Sequence, residues 1–236
     1  MSAREGSADE ERRRPGTLWT VTRIFPAHAA LLDMDGTLVD STAVVERLWL
    51  AWAASHGLDR DHVLGVIHGR QGHQSMAILL PDRPHAQNLV ENRAMLAAES
   101  DDLDGVVEVP GAAAFLAALA PYPHLVVTSA DDRLLRARMG ASGLDVPADP
   151  VTAEQVSASK PDPEGFLLGA RRLGIAPADC VVFEDSAAGI QAARAAGMRV
   201  IGVGTGSAAH SPDAVVADLT HVRIAPDGDG FAIAVD

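Results

Sequence analysis

Ala29-Ala30-Leu31-Leu32-Asp33-Met34-Asp35-Gly36-Thr37-Leu38-Val39-Asp40-Ser41 is the stretch on which the reading of this chain turns. Its first four residues are apolar on both faces of an extended backbone, as in a strand covered on both sides within a parallel sheet. The run stops at two carboxylates, Asp33 and Asp35, two positions apart and so on the same side of an extended chain. Gly36 then lets the backbone turn sharply.

Three further runs share the pattern. His124-Leu125-Val126-Val127 ends in Thr128, Cys180-Val181-Val182-Phe183 ends in Glu184-Asp185, and Arg199-Val200-Ile201-Gly202-Val203 leads into Gly204-Thr205-Gly206. Helical patterns follow several of them. Asp162-Pro163 opens one whose apolar positions Phe166, Leu167, Ala170 and Leu173 share a face, and Gly174 closes it. Another runs from about Ser186 to Ala196, with Gly197 as its stop. Strand, helix, strand in alternation implies an α/β fold, a Rossmann-like parallel sheet with helices on both faces.

One interval breaks the alternation. Between Asp40 and about Val109 nothing reads as a buried strand, and four helices are expected, over 42–56, 59–67, 72–80 and 84–103. Val44, Val45, Leu48, Trp49 and Trp52 form the apolar stripe of the first, so both tryptophans are expected in a core. Such a span is far longer than an ordinary crossover. Residues 41–107 are therefore expected to be an inserted helical subdomain, with 18–40 and 108–236 forming the α/β core and 1–17 a disordered tail.

Composition narrows the classes of function. The 236 residues carry a formal net charge of −13, which argues against a nucleic-acid polymer or an anionic membrane as partner. The single cysteine, Cys180, lies in an apolar run and allows no internal disulfide. No stretch approaches the ~20 apolar residues of a membrane span, and Met1 to Pro15 lacks the apolar segment of a secretory signal. A soluble cytoplasmic protein is expected. Eighteen arginines stand beside one lysine, Lys160, in a chain with 42 alanines. That imbalance reads as codon bias and makes surface arginine, including Arg12, Arg13 and Arg14, weak evidence of function.

The polar residues collect at one edge. Asp33, Asp35, Thr128, Ser129, Glu184 and Asp185 all follow the carboxyl ends of expected core strands, where ligands bind in open α/β sheets. Each alone could be a turn former or helix cap; three successive strand ends together point to a site. Asp33 to Ser41, Thr128-Ser129-Ala130, Lys160-Pro161-Asp162-Pro163 and Glu184-Asp185-Ser186-Ala187-Ala188-Gly189 stand in the order of the signatures of the haloacid dehalogenase-like superfamily, which the chain resembles in its phosphatase branch. The helical insertion after the first motif is similar to that family's C1-type cap.

The resemblance implies a Mg²⁺-dependent phosphoric monoester hydrolase. Asp33 would be the nucleophile, forming an aspartyl-phosphate, and Asp35 would protonate the leaving alkoxide and then deprotonate the resolving water. Thr128 and the backbone amides of Ser129 and Ala130 would bind phosphoryl oxygens. Electrostatics asks for compensation, because at an effective dielectric constant of about 20 each like-charge pair at ~4 Å costs about 4 kcal/mol. Mg²⁺ held by Asp33, Asp185 and the backbone carbonyl of Asp35 would supply two charges and Lys160 one more. Glu184 would stand behind the metal or serve as the partner of Lys160.

The insertion is expected to choose the substrate. His68, Gly69, Arg70 and Gln71 lie in a glycine-punctuated loop where the family places a specificity loop; an ordinary surface loop is the alternative. Val66-Ile67-His68-Gly69-Arg70-Gln71, with the tryptophan-containing helix and His56-Gly57-Leu58 before it, resembles the sugar- and polyol-phosphatase group. The expected partner is one small phosphorylated sugar, polyol or glycoside, and the expected state a monomer. A C-glycoside pentose 5-phosphate, of pseudouridine or alnumycin type, is a variant of this reading carried by no motif. Asp35 counts against a dehalogenase, and an insertion without lysine excludes a Schiff-base phosphonate hydrolase. A sugar phosphomutase would carry a histidine where Val45 stands. A non-catalytic phosphometabolite-binding protein would be expected to lose a charge among Asp33, Asp35, Lys160 and Asp185, and none is missing; His221, Asp227 and Asp229 near the end carry no motif.

Overall fold

A computed structural model describes residues 22–236; the tail expected over 1–17 lies outside the described residues. In chain order the elements are β1 (Arg23–Ala27), β2 (Ala29–Leu32), β3 (Val39–Asp40), α1 (Thr42–Ser55), α2 (Arg60–Leu64), α3 (Gly72–Leu79), α4 (His85–Asp101), β4 (Val107–Glu108) and α5 (Ala112–Leu119). They continue with β5 (His124–Val126), α6 (Asp132–Ala141), α7 (Glu164–Leu173), β6 (Cys180–Glu184), α8 (Ala187–Ala195), β7 (Arg199–Val203), β8 (Ala214–Val216), β9 (Val222–Asp227) and β10 (Gly230–Val235).

The four apolar runs are adjacent parallel strands. The main sheet has the order β5-β2-β6-β7-β8, with Leu32 opposite Val126 on one side and Phe183 on the other. Alternate residues of β2 feed different cores, as a strand's period of two requires. Ala30 and Leu32 pack with Phe115, Leu134 and Phe183, whereas Ala29 and Leu31 pack with Phe166, Ile190 and Val200. Leu31 and Leu32 are wholly buried, each such side chain stabilising the fold by about 1.5–3 kcal/mol. Because β5 and β6 flank β2, the three strands that end in polar residues lie side by side, and the chain leaves β2 where neighbouring connections diverge. Crevices form at such points.

The expected helices of the insertion are present as α1 to α4, between the antiparallel pair β3 and β4. The second is shorter than its expected 59–67: Asp59 caps it by accepting the His62 N–H at 2.9 Å, and Gly65 ends it. Val66 and Ile67 instead turn inward, with Ile67 buried. Trp49, Ala53, Val63, Ile67, Met76, Leu79 and Met95 form an apolar cluster separate from the two that cover the sheet.

Two features exceed the sequence reading. A fifth parallel strand, β8, extends the main sheet, and β1, β10 and β9 form a separate antiparallel sheet. The final residues, with His221, Asp227 and Asp229, are thus a hairpin. Gly228 (φ 59°) opens its two-residue loop, the glycine position that tight hairpins favour. Phe231, Ile233 and Val235 alternate inward from β10. Among the described residues no helix is long and apolar enough to cross a membrane.

Candidate active site

Asp33 leaves β2 with its N–H donated to the Phe183 carbonyl of β6, so its carboxylate sits between two strand ends. Met34 then accepts the N–H groups of Leu38 and Val39, and Gly36 (φ 83°) lets the turn fold against Asp185. A Cβ at Gly36 would lie 2.0 Å from Asp185 Oδ2. Only glycine permits both the backbone angle and the approach.

Lys160 joins the strand ends from a loop. Its Nζ donates to Asp33 Oδ1 at 2.5 Å and to Glu184 Oε1 at 2.7 Å, and is 6 % exposed. The loop is anchored by Glu164 at the start of α7, whose carboxylate accepts from Ser157 N–H and Oγ–H and from Ala158 N–H. Glu184 has both oxygens engaged, because its Oε2 accepts from Ser186 N–H (2.6 Å) and Oγ–H (2.9 Å). Of the two roles expected for Glu184, the geometry shows the partner of Lys160. A Cβ at Gly189 would fall 1.6 Å from Glu184 Oε1, so α8 can lie this close only with glycine there.

The acidic oxygens of Asp33, Glu184 and Asp185 lie within 4.8 Å of one another. Burial, opposed by Lys160 and reinforced by Glu184, pushes the Asp33 carboxyl up to about 7. Burial with Glu184 and Asp33 also raises Asp185. Burial works against the Lys160 ammonium, yet Asp33 and Glu184 outweigh it and hold the group above its usual range. Fully ionised, three carboxylates facing one ammonium would carry two uncompensated negative charges, and burial together with that repulsion raises Asp33 and Asp185. All-oxygen donors with that deficit fit a hard dication; among the side chains, Asp33 and Asp185 have donor capacity free for it.

Asp35 points elsewhere. Its Oδ1 accepts from Ser41 Oγ–H at 2.7 Å, and its Oδ2 pairs with Arg138 at 2.8 Å. Arg138, on α6, also pairs with Glu99 of α4 at 2.9 Å. Glu99 is pushed up to about 6 by burial against the pull of Arg138. Thr128 is buried beside Asp33 and its Oγ1 accepts the Ala130 N–H at 3.0 Å, so the amide expected to reach a phosphoryl oxygen is donated within its own motif. Ser129 Oγ–H donates to the Gly69 carbonyl at 3.2 Å, and Gln71 Nε2 to the Ala153 carbonyl at 3.2 Å. The loop expected to set specificity therefore lies directly on the strand-end motifs. Gly69 (φ 76°) is required there, since a Cβ would be 2.1 Å from Ser186 Oγ.

A cavity of about 100 Å³ joins these groups. Asp33, Asp35, Asp185, Thr128, Ser129 and Ala130 line one end; His68, Gly69 and Arg70 border it. Trp49, Val45, Met95, Leu96, Glu99 and Arg138 complete the wall. Trp49 is thus both part of an apolar cluster, as expected, and a wall of the cavity. Partial desolvation at the cavity edge lowers His68 from the usual imidazole range, against Glu46 and Asp35 nearby, although the residue as a whole is exposed. Glu99 and Arg138 were not legible as site residues, whereas Ser41 closes the first motif; the available signal for Arg138 was a charge on an apolar helix face, among buried Leu134, Leu135 and Met139.

The model of the haloacid dehalogenase-like hydrolases matches residues 27–197, more than half of the chain. The chain belongs to that family. It is 40% identical over 208 residues to hexitol phosphatase A of Escherichia coli (strain K12), covering 84% of this chain and 95% of that protein. To validoxylamine A 7'-phosphate phosphatase of Streptomyces hygroscopicus subsp. limoneus it is 33% identical, over 82% of this chain and 95% of the relative. Among solved structures, β-phosphoglucomutase of Clostridium difficile superposes with a TM-score of 0.72 at 20% identity, over 84% of this chain and 93% of that one, a likeness of fold alone. The expected class, a phosphoric monoester hydrolase of this family with a parallel sheet, stands with these relatives.

Proposed function

We propose that the protein is a Mg²⁺-dependent phosphatase of a small phosphorylated sugar or polyol, acting through an aspartyl-phosphate. The observation that carries this is the buried Lys160 ammonium clasped by Asp33 and Glu184, with Asp185 beside them at the edge of the sheet. The relatives named hexitol phosphatase A and validoxylamine A 7'-phosphate phosphatase support the substrate class.

When bound, Mg²⁺ supplies two positive charges and polarises a phosphoryl oxygen; Asp33, Asp185 and the Asp35 carbonyl would hold it. Asp33 attacks phosphorus and takes the phosphoryl group while the ester oxygen leaves. Lys160 stays beside it and compensates charge on the transferring oxygens, held in place by Glu184. Thr128 with the Ser129 and Ala130 amides orients those oxygens, which requires the Ala130 N–H to leave Thr128 Oγ1. Asp35 delivers a proton to the leaving alkoxide and takes one from the water that releases phosphate. To do so it turns from Arg138 towards the cavity. Residues 41–107 act as a cap over the core, His68, Gly69, Arg70 and Gln71 contributing to substrate choice, and the enzyme works as a cytoplasmic monomer.

Val45 on the cavity wall, with no ionisable group at that point, favours hydrolysis over the phosphomutase reading. The test is phosphate release from an aryl phosphate and from sugar and polyol phosphates, with and without Mg²⁺. Turnover that needs Mg²⁺ and vanishes in Asp33→Asn is expected. Full activity without added metal in chelator, or in Asp33→Asn, would sink the reading and leave a binding protein of the same fold.

A further inference from the structure

Arg138 is the one cation on the cavity wall that no step above uses, and it is not free to bind an anion. It is 2 % exposed, with Nη1 2.8 Å from Asp35 Oδ2 and Nη2 2.9 Å from Glu99 Oε2. Its Nε, also buried, has no partner among the described residues. Glu99 is itself 6 % exposed and comes from α4 of the insertion, whereas Arg138 comes from α6 of the core. The two meet on the cavity wall beside Asp35.

Asp35, Glu99 and Arg138 together sum to one negative charge: two carboxylates and one guanidinium. This stretch of wall therefore differs in kind from that of Asp33 and Asp185, where the lysine and a dication invite an anion. A carboxylate offers about four lone-pair sites, and with Arg138 and the Trp49 N–H as partners Glu99 can still accept from hydroxyl groups. Trp49, Met95 and Leu96 beside it supply apolar walls for the C–H faces of a carbon chain. A second anionic group at the same place would meet Glu99 and Asp35, with the Arg138 guanidinium already paired to both.

We propose that the Glu99–Arg138 pair, beside Asp35, is a selector for the alcohol part of the substrate. It accepts hydroxyl groups of an uncharged polyol or sugar and rejects phosphate esters that carry a second anionic group. This rests on the phosphatase reading and deepens it. Glu99 supplies the rejection, and Arg138 orients Glu99 while keeping it from standing as a lone buried charge.

Matched esters differing only in CH₂OH against carboxylate test it: sorbitol 6-phosphate with 6-phosphogluconate, and glycerol 3-phosphate with 3-phosphoglycerate. With Mg²⁺ present, the wild-type chain should show kcat/KM at least about 100-fold higher for the neutral member of the pair it hydrolyses faster. Glu99→Gln should cut that ratio by about tenfold or more, because one of the two carboxylates that repel the anion is then gone; Arg138→Gln should not cut it. A merely structural pair would lower both esters equally in both variants, and that result overturns the proposal. So does a wild-type ratio near one, which needs no variant to fold. Hydrolysis of p-nitrophenyl phosphate separates the two readings. Turnover of it without turnover of either neutral ester, or with equal rates on neutral and anionic esters, refutes the selector alone. No turnover of any ester refutes the phosphatase reading, and the selector falls with it.

Discussion

Replacing the single lysine by arginine tests whether the site needs only a positive charge or a compact one. Lys160 Nζ sits 2.5 Å from Asp33 Oδ1 and 2.7 Å from Glu184 Oε1, with its charge 5.2 Å from the centre of the Phe166 ring. At an effective dielectric constant of about 20, a unit-charge pair at such a separation is worth about 6 kcal/mol before desolvation, against about 4 kcal/mol at 4 Å. A guanidinium is planar and spreads its charge over several atoms. Fitting it between two carboxylates already at contact distance displaces its charge centre outward by about 1 Å or more, losing about 2 kcal/mol on each side. What raises the barrier is the same displacement from the charge that moves onto the transferring phosphoryl oxygens. If about 2 kcal/mol is lost at each of two of them, the barrier rises by about 4 kcal/mol and turnover falls about 10³-fold.

Folding keeps its charge balance, so no carboxylate is stranded, and overpacking adds about 1–3 kcal/mol to the weakened pairing. Lys160→Met gives the contrast. It strands buried carboxylates, costs about 3–5 kcal/mol of stability, and lowers Tm by roughly 6–20 °C. The assay is p-nitrophenyl phosphate hydrolysis at saturating Mg²⁺, with thermal unfolding of each variant followed by circular dichroism. An arginine variant within tenfold of wild type would refute the geometric argument and leave charge alone as the requirement.

Three further outcomes follow from the same geometry. Asp33→Asn should abolish turnover yet leave the metal-free protein at least as thermally stable as wild type, since burial already pushes that carboxyl up to about 7. At Mg²⁺ about 100-fold above its Kd, wild type should gain about 2.7 kcal/mol, or roughly 5–10 °C in Tm, and the variant clearly less; equal gains in the two melts would remove Asp33 from the metal site. Gly189→Ala places a methyl group where Glu184 Oε1 now lies, and should lower kcat along with stability by moving the partner of Lys160; a stability loss with kcat intact would show that Glu184 does not position the lysine. Cys180 is buried, and burial followed by Asp179 pushes its thiol up to about 11, so at pH 8 about one molecule in a thousand carries the thiolate. It should react with a thiol reagent only on unfolding, and stoichiometric labelling of the native protein would contradict its place in β6.

How much of this was legible depends on how local each signal was. The main sheet was readable because each central strand is an uninterrupted apolar run, and the phosphoryl end because its groups follow those runs directly: Asp33 after Leu32, Thr128 after Val127, Asp185 after Glu184. The hairpin of β9 and β10 was missed although Asp227-Gly228-Asp229-Gly230 and the alternation Phe231, Ile233, Val235 announce it; short half-covered strands carry weaker patterns than buried ones. The selector pair was not readable at all. Arg138 and Glu99 are 39 residues apart on different helices, and each alone is one charge among many on a charged chain. Eighteen arginines made a single one uninformative. What gives Arg138 meaning is that α6 turns it into the same buried space that α4 reaches with Glu99, and that Asp35 comes within 2.8 Å of it. Chemistry set by strand ends is written locally in a sequence, whereas specificity set by the meeting of an insertion with a core is written in how two helices pack. The second kind is therefore where relatives sharing every catalytic residue can differ in substrate, and where substitutions at Glu99 and Arg138 separate choice of ester from the capacity to hydrolyse one.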